Sequence, residues 1–184
     1  QETIIVMGQS NSIGTSLHTA AVEADGVRVT KRPSGGETVI LTPSTIALTV
    51  ARNFPVMIRF GDFFSMVNSV VIEGLAEMGV SRLGPKGISD ITLGNKKILG
   101  SSMRKVGSKL VYHAVLNIAE NPALFSKYLS HPRREPDYRA GRSHHEFVTS
   151  LAAEGYNFTH GEVMSMLNRM LGRLMASRQP ITDL

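Results

Sequence analysis

The chain has no cysteine and no tryptophan among its 184 residues. Without cysteine there are no disulfides, no thiolate metal ligands and no cysteine nucleophile, and the composition fits a cytoplasmic protein. Aromatic residues make up only 6%. None alternates with basic residues as a base-stacking platform would, so nucleic acid is not an expected partner. No apolar run approaches the roughly 20 residues of a membrane span, and no membrane association is expected. Internal repeats and low-complexity tracts are missing too. The chain starts at Gln1, which reads as a processed or trimmed N-terminus.

What is present is ordinary in bulk and uneven in charge. With 42% hydrophobic and 19% charged residues, the chain has enough material for one domain with its own core. Lys and Arg number 20 against 15 Asp and Glu, a formal net charge of +5. The excess gathers at Lys31-Arg32, Lys96-Lys97, Arg104-Lys105 and between Arg133 and Arg142. Such a balance favours phosphate-bearing ligands or an acidic protein partner.

The first half reads as short strands, at residues 3–7, 27–32, 38–41 and 44–50, with a helix over 14–24 between the first two. Asp62 opens an amphipathic helix that ends near Met78, with Gly79 as its stop. Its stripe of Phe63, Phe64, Val67, Val70, Val71, Leu75 and Met78 is core. A strand is expected over 110–118, and Asn121-Pro122 caps a helix reaching Tyr128. Residues 131–141 form a polar, charged loop with two prolines. Ser143 with Glu146 makes a capping box for a helix through Ala153. Thr159 with Glu162 makes another, for a terminal helix with a stripe of Met164, Leu167, Leu171 and Leu174 and with Arg169, Arg173 and Arg178 toward its C-terminal end. The further methionines of that helix fill core or meet a partner. Strands followed by helices, with no βαβ rhythm, predict an α+β fold whose mostly antiparallel sheet is flanked by helices.

Two segments carry chemistry. In residues 87–102, GISDITLGNKKILGSS, Gly94-Asn95 accepts the positive φ of a two-residue hairpin loop. Pairing outward from it sets Thr92 opposite Lys97 and Asp90 opposite Leu99, so Asp90, Thr92, Lys97 and Leu99 share a face. A lysine beside a carboxylate and small residues suits a phosphate or acyl-phosphate site. A solvated edge hairpin guarded by lysines is the other reading. In residues 31–39, KRPSGGETV, Gly35-Gly36 links strand to strand, unlike the strand-to-helix glycine loops of Walker and Rossmann folds. Adjacent glycines form a backbone nest for an anion, with Arg32 and Ser34 reaching the same ligand, or else they make an ordinary hairpin turn.

Taken in order, KRPSGGETV, SDITLGNKKILGSS and VYHAVLNI resemble the lipoate–protein ligase family over about residues 3–150. Its members carry an Arg-Arg-x-Ser-Gly-Gly-Gly loop, an Asn-Asp strand, a Lys-Ile-x-Gly-Ser-Ala strand and a His-Gly-Thr-Leu strand. The resemblance implies the biotin/lipoate ligase catalytic domain, related to class II synthetases, with residues 1–184 as a single domain. It implies contact between Lys97 and the ligand's carboxylate or acyl-phosphate. It puts Asp90 near the adenosine and the lysine, and Arg32, Ser34, Gly35 and Gly36 in the loop around lipoyl-adenylate. Thr38 and Ser89 are counted with these binding residues. Gly100, Ser101 and Ser102 match the small residues along the acyl tunnel, and His113 the histidine of the next strand. Family members use ATP and Mg²⁺ to make lipoyl-AMP from lipoate, then acylate a lysine of an acceptor domain. The family also places a mobile loop near the nucleotide, where Asp137, Arg139 and Arg142 fall. His144-His145, in the first turn of a capped helix, is not expected to hold a metal.

Departures from the pattern are Glu37 at the third loop glycine, Leu41-Thr42 for the usual His-Asp, Ser89 for asparagine and Ala114-Val115 for Gly-Thr. The helix and strand that normally precede Thr3 are missing, as is the C-terminal accessory domain, which a separate small subunit supplies in some members. The resemblance points first to an ATP-dependent ligase or its catalytic subunit. An ATP-independent octanoyl- or lipoyl-transferase of the same fold generally acylates a cysteine, and this chain has none. A non-catalytic lipoyl or adenylate binder is the third reading. Biotin ligases share the fold with a different arginine-glycine loop.

Overall fold

Two sheets of unequal size organise the chain, for which a computed structural model describes residues 2–53 and 59–176. The smaller has the order β2-β1-β3, from β1 (Ile4–Met7), β2 (Arg28–Lys31) and β3 (Val39–Leu41). β1 runs parallel to β2 and antiparallel to β3. The crossover from β1 to β2 is not one helix but two, α1 (Ile13–Ser16) and α2 (Thr19–Ala24). The break falls at Leu17, which is buried with Phe125, Tyr128 and Leu129 and bridges Leu129 through its backbone. Burying a leucine contributes about 1.5–3 kcal/mol, more than continuity is worth in so short a helix.

The larger sheet is antiparallel throughout, in the order β4-β8-β7-β6-β5. Its strands are β4 (Thr45–Asn53), β5 (Leu83–Lys86), β6 (Asp90–Leu93), β7 (Lys96–Val106) and β8 (Lys109–Asn117). Alternation sorts its side chains: Ile46, Leu48 and Val50 on β4, and Tyr112, Ala114 and Leu116 on β8, join the main core. That face is covered by α3 (Phe60–Glu77) and α6 (His160–Ala176), whose buried side chains belong to the same cluster. Buried Tyr112 donates its hydroxyl to Asn68 of α3 at 2.7 Å, so the polar atom it carries inward is satisfied. The α+β expectation, with helices flanking an antiparallel sheet, holds.

Three local differences follow from packing. The buried stripe of α6 is Val163, Met166, Leu167 and Met170, with Met164, Leu171 and Leu174 flanking it; Met164, Met166 and Met170 serve the core, Met175 is exposed, and Arg178 lies outside the described residues. The capping box of Ser143 and Glu146 forms, but α5 (His144–Phe147) ends after four residues rather than at Ala153. The following backbone is stitched to the sheet instead, with Thr149 N–H donating to the Lys97 carbonyl at 2.9 Å and Leu151 N–H to the Asn117 carbonyl at 3.2 Å. Strand β5 has no counterpart among the expected elements. Its sequence LGPK places Pro85 on a sheet edge, where a missing N–H costs little. Helix α4 (Pro122–Tyr128) begins as expected, with Asn121 Oδ1 accepting from Ala123 N–H at 2.9 Å.

Candidate functional site

Because β5 takes the edge, the β6–β7 hairpin lies inside the sheet, which removes the edge-guard reading of its lysines. Thr92 pairs with Lys97 as expected, but Asp90 pairs with Gly100 and not with Leu99. A bulge intervenes, because Ile98 and Leu99 are adjacent and both buried in the core. Two consecutive apolar side chains cannot enter one core on a regular pleat, and an extra residue resolves the conflict. Leu99 therefore leaves the shared face, and Gly100 takes its place beside Asp90. Across it, Lys97 Nζ reaches Asp90 Oδ1 at 2.8 Å. The carboxylate is 6% exposed, whereas the lysine side chain keeps 28%.

The glycine loop is not a hairpin turn. Strands β2 and β3 lie on opposite sides of β1, so residues 32–38 arch over its C-terminal end. Arg32 holds the arch from within. Its Nη1 donates to the Val6 carbonyl at 3.1 Å, its Nη2 to the Gly35 and Glu37 carbonyls at 2.7 and 2.8 Å, and its Nε to Ser34 Oγ at 3.1 Å. Ser34 is 1% exposed and meets Ser102 Oγ at 3.2 Å, tying the arch to β7. Gly8 lies so close beneath that a Cβ there would overlap the Gly36 carbonyl oxygen. The neighbour is backbone and cannot step aside. Gly8→Ala is expected to cost about 1–3 kcal/mol by overpacking and to displace the arch, which urea denaturation together with amide exchange at residues 34–37 would read.

Between the two sheets lies a cavity of about 460 Å³, within the usual range of small-molecule sites. Of the residues singled out in the sequence, Arg32, Gly36, Thr38, Ser89, Asp90, Lys97, Gly100, Ser101, Ser102 and His113 line it. Ser34 and Gly35 stand behind the wall, within the loop. Apolar wall comes from Val6, Val39, Leu41, Ala47 and Val115, several of them unforeseen. Leu41 and Val115 occupy positions where the family pattern has His and Thr. His113 Nδ1 meets Thr49 Oγ1 at 3.1 Å. Burial, then the charges of Arg32 and Arg104, pushes its imidazole below the usual range, so it is neutral at pH 7. Glu37 lies at the rim, where Asn11 Nδ2 donates to its carboxylate at 3.3 Å.

Beyond Glu37 and Thr38 is a smaller polar pocket, about 110 Å³, bordered by Asn11, Ser12, Ser130, Arg133 and His144. Burial, followed by the charges of Arg139, His131, His18 and Lys97, pushes His144 down to about 4. Its folded value thus lies below the unfolded one of 6.5. The unfolded chain binds the extra proton first, so the stability involved is present above pH 6.5 and is lost as pH falls through about 4. Urea denaturation of His144→Gln is expected to show a smaller loss between pH 7 and pH 4.5 than the unsubstituted protein.

The polar loop over 131–141 exposes His131, Arg133, Arg134 and Asp137 as a solvated loop does, but its Tyr138 and Arg139 are packed inward. A 3₁₀ turn spans Asp137–Arg139, and Arg139 is 4% exposed with its guanidinium 4.8 Å from the Phe147 ring centre. Arg142 donates to the carbonyls of Asn95, Arg139 and Tyr138 at 3.0, 3.0 and 2.7 Å. Tyr138, which the sequence reading passed over, donates its hydroxyl to Asp90 Oδ2 at 2.7 Å. A lone aromatic between Pro136 and Gly141 in an otherwise charged loop was the signal for it. Among the described residues, no three His, Asp or Glu side chains gather into a metal cage, and no helix is long and apolar enough to cross a membrane.

The lipoyl protein ligase A/B catalytic domain model matches residues 1–171. The lipoate-protein ligase A of Blochmanniella floridana is 23% identical over 173 residues, covering 90% of this chain and 49% of that protein. The chain thus spans about half the length of the curated relatives it matches. Among solved structures, the bi-partite lipoate protein ligase of Thermoplasma acidophilum, described with its E2 lipoyl domain, superposes with a TM-score of 0.81 at 19% identity, over 94% of this chain and 68% of that one. A Thermoplasma acidophilum protein solved with bound lipoic acid gives 0.80 at 17% identity, over 94% and 69%. A lipoate-protein ligase A bound with ATP gives 0.81 at 19%, over 94% and 68%. These structures share the fold of this chain. With a family model spanning nearly all of its length, the chain belongs to the lipoyl protein ligase A/B catalytic domain family.

Proposed function

We propose that the chain is the catalytic part of an ATP-dependent lipoate–protein ligase that makes lipoyl-AMP and transfers the lipoyl group to a lysine of an acceptor domain. The observation that carries this reading is the Lys97 ammonium, held 2.8 Å from Asp90 on the wall of a largely apolar cavity. An acyl chain suits that wall, and the cation suits the acid end. The bound lipoic acid and ATP of the similar structures support both substrates.

In the first step a lipoate carboxylate oxygen attacks the α-phosphorus of ATP and pyrophosphate leaves. In the second, the neutral ε-amine of the acceptor attacks the acyl carbon, AMP leaves with the bonding pair, and the nitrogen's surplus proton passes to the departing phosphate. Lys97 stabilises the charge that gathers on phosphate and acyl oxygens in both steps. The chain's own task is to hold this cation still, to line the acyl path and to keep the glycine arch in shape through Arg32. Mg²⁺ would come with the triphosphate, since such ions rely on one or two carboxylates plus substrate oxygens. The neutral His113 places no second cation along the acyl wall. The bi-partite relative, described with its E2 lipoyl domain, supports an acceptor domain and an accessory subunit as partners.

The test is intact mass spectrometry of an acceptor domain after incubation with the chain, ATP, Mg²⁺ and lipoate, octanoate or biotin in parallel. A lipoyl adduct that requires ATP is the expected result. Transfer from an acylated carrier without ATP, or ligand binding with no adduct even when a candidate subunit is added, would overturn it.

A further inference from the structure

We propose that Tyr138 is the positioning residue for Lys97, acting through Asp90; this rests on the role proposed above for Lys97. The buried carboxylate has two oxygens and each has its own partner. Oδ1 takes the Lys97 ammonium at 2.8 Å and Oδ2 takes the Tyr138 hydroxyl at 2.7 Å. With Oδ2 pinned, the carboxylate plane cannot rotate, and the direction in which Oδ1 draws the ammonium is set. Without that second bond, the one further side-chain hydrogen bond on Asp90 among the described residues is a long one from Ser89 Oγ at 3.4 Å, on the same Oδ1.

Tyr138 is itself held firmly. Its ring lies 5.1 Å from that of Phe147, and Arg142 fixes its carbonyl at 2.7 Å. Burial and the Asp90 charge push its hydroxyl well above the usual tyrosine range, so it remains a donor throughout the working range of pH. The same segment also grips the hairpin backbone, through Arg142 to the Asn95 carbonyl and Thr149 to the Lys97 carbonyl. The stretch from Tyr138 to Thr149, with α5 inside it, thereby holds the lysine at its main chain and, by way of Asp90, at its ammonium. Tyr138 is not among the residues that line the cavity, and its hydroxyl meets the site through Asp90.

Tyr138→Phe retains the ring and removes the hydroxyl. Loss of a hydrogen bond to a charged group predicts a fall of roughly 10- to 100-fold in kcat for adenylate formation, with the KM for lipoate unchanged. In an Asp90→Asn background the same change is expected to do almost nothing further. A readout independent of turnover is the ¹⁵N-lysine ammonium NMR spectrum of the ligand-free chain. There the Lys97 signal shifts and weakens in Tyr138→Phe, while that of Lys127, paired with Asp25, stays put. An unchanged Lys97 signal with unchanged kcat would overturn the inference, as would an effect on KM alone or one additive with Asp90→Asn. If the unsubstituted chain makes no adenylate yet its Lys97 signal responds to Tyr138→Phe, the ligase reading fails and the positioning role stands.

Discussion

Lys97→Ala is expected to lower lipoyl-adenylate formation by about 100-fold or more, the usual scale for deleting one aimed electrostatic stabiliser. The lysine is the one cation that the β6–β7 hairpin turns into the cavity; its neighbour Lys96 points toward Glu154, at 3.9 Å. Its removal also takes a partner from a carboxylate that is 6% exposed. Asp90 keeps the Tyr138 hydroxyl, so the cost in stability should be about 1–3 kcal/mol and not outright unfolding. Pyrophosphate release, measured beside urea denaturation, separates the two effects. A variant that unfolds cooperatively yet turns over at the original rate would remove Lys97 from the mechanism.

The second large effect is expected from a single methyl group. A Cβ added at Gly100 would sit 2.6 Å from Lys97 Cε and 2.7 Å from its Nζ. Both atoms are at the far end of a flexible chain, so the lysine will swing away without straining the strand. Gly100→Ala is therefore expected to cost no more stability than Lys97→Ala does, about 1–3 kcal/mol, because Asp90 loses the same partner while the strand stays unstrained. Activity, by contrast, should fall to within about tenfold of the Lys97→Ala level, because the cation remains in the protein but off its station. Thermal unfolding and the adenylation rate, measured on the same preparation, check the pairing. Wild-type turnover in Gly100→Ala would mean that the ion pair with Asp90 does not place the lysine for reaction.

How much of this was legible beforehand depends on the range of the forces involved. Gly94-Asn95, the pairing of Thr92 with Lys97 and both capping boxes are local matters of turn and cap chemistry, and they stand as read. The bulge was hidden because its cause is tertiary: Ile98 and Leu99 look like an ordinary alternating pair until one core demands both. Pro85 argued against a strand, and only an edge position makes β5 acceptable. The loop after α4 carried charges that suggested solvent, yet Arg139 and Arg142 spend theirs on carbonyls and the Phe147 ring. Leu17 broke a helix for a contact with α4 that no local signal announces. In the candidate site the residue types were visible from spacing. Which of them line the cavity, and which stand behind it as Ser34 does, depended on two sheets meeting.

The hydrogen bond from Thr149 N–H to the Lys97 carbonyl also bears on the order in which this protein matures. Strands β6 and β7 are neighbours in sequence and pair early, since short loops close at little entropic cost. The segment that steadies the lysine arrives much later along the chain. A chain that has emerged only through β8 carries the residues of every strand and of the glycine arch, but neither the α4 and α6 side chains that complete the two cores nor the grip on Lys97. The contacts that hold Lys97 at its carbonyl and, through Asp90, at its ammonium thus form only when the segment from Tyr138 to Thr149 docks on the hairpin.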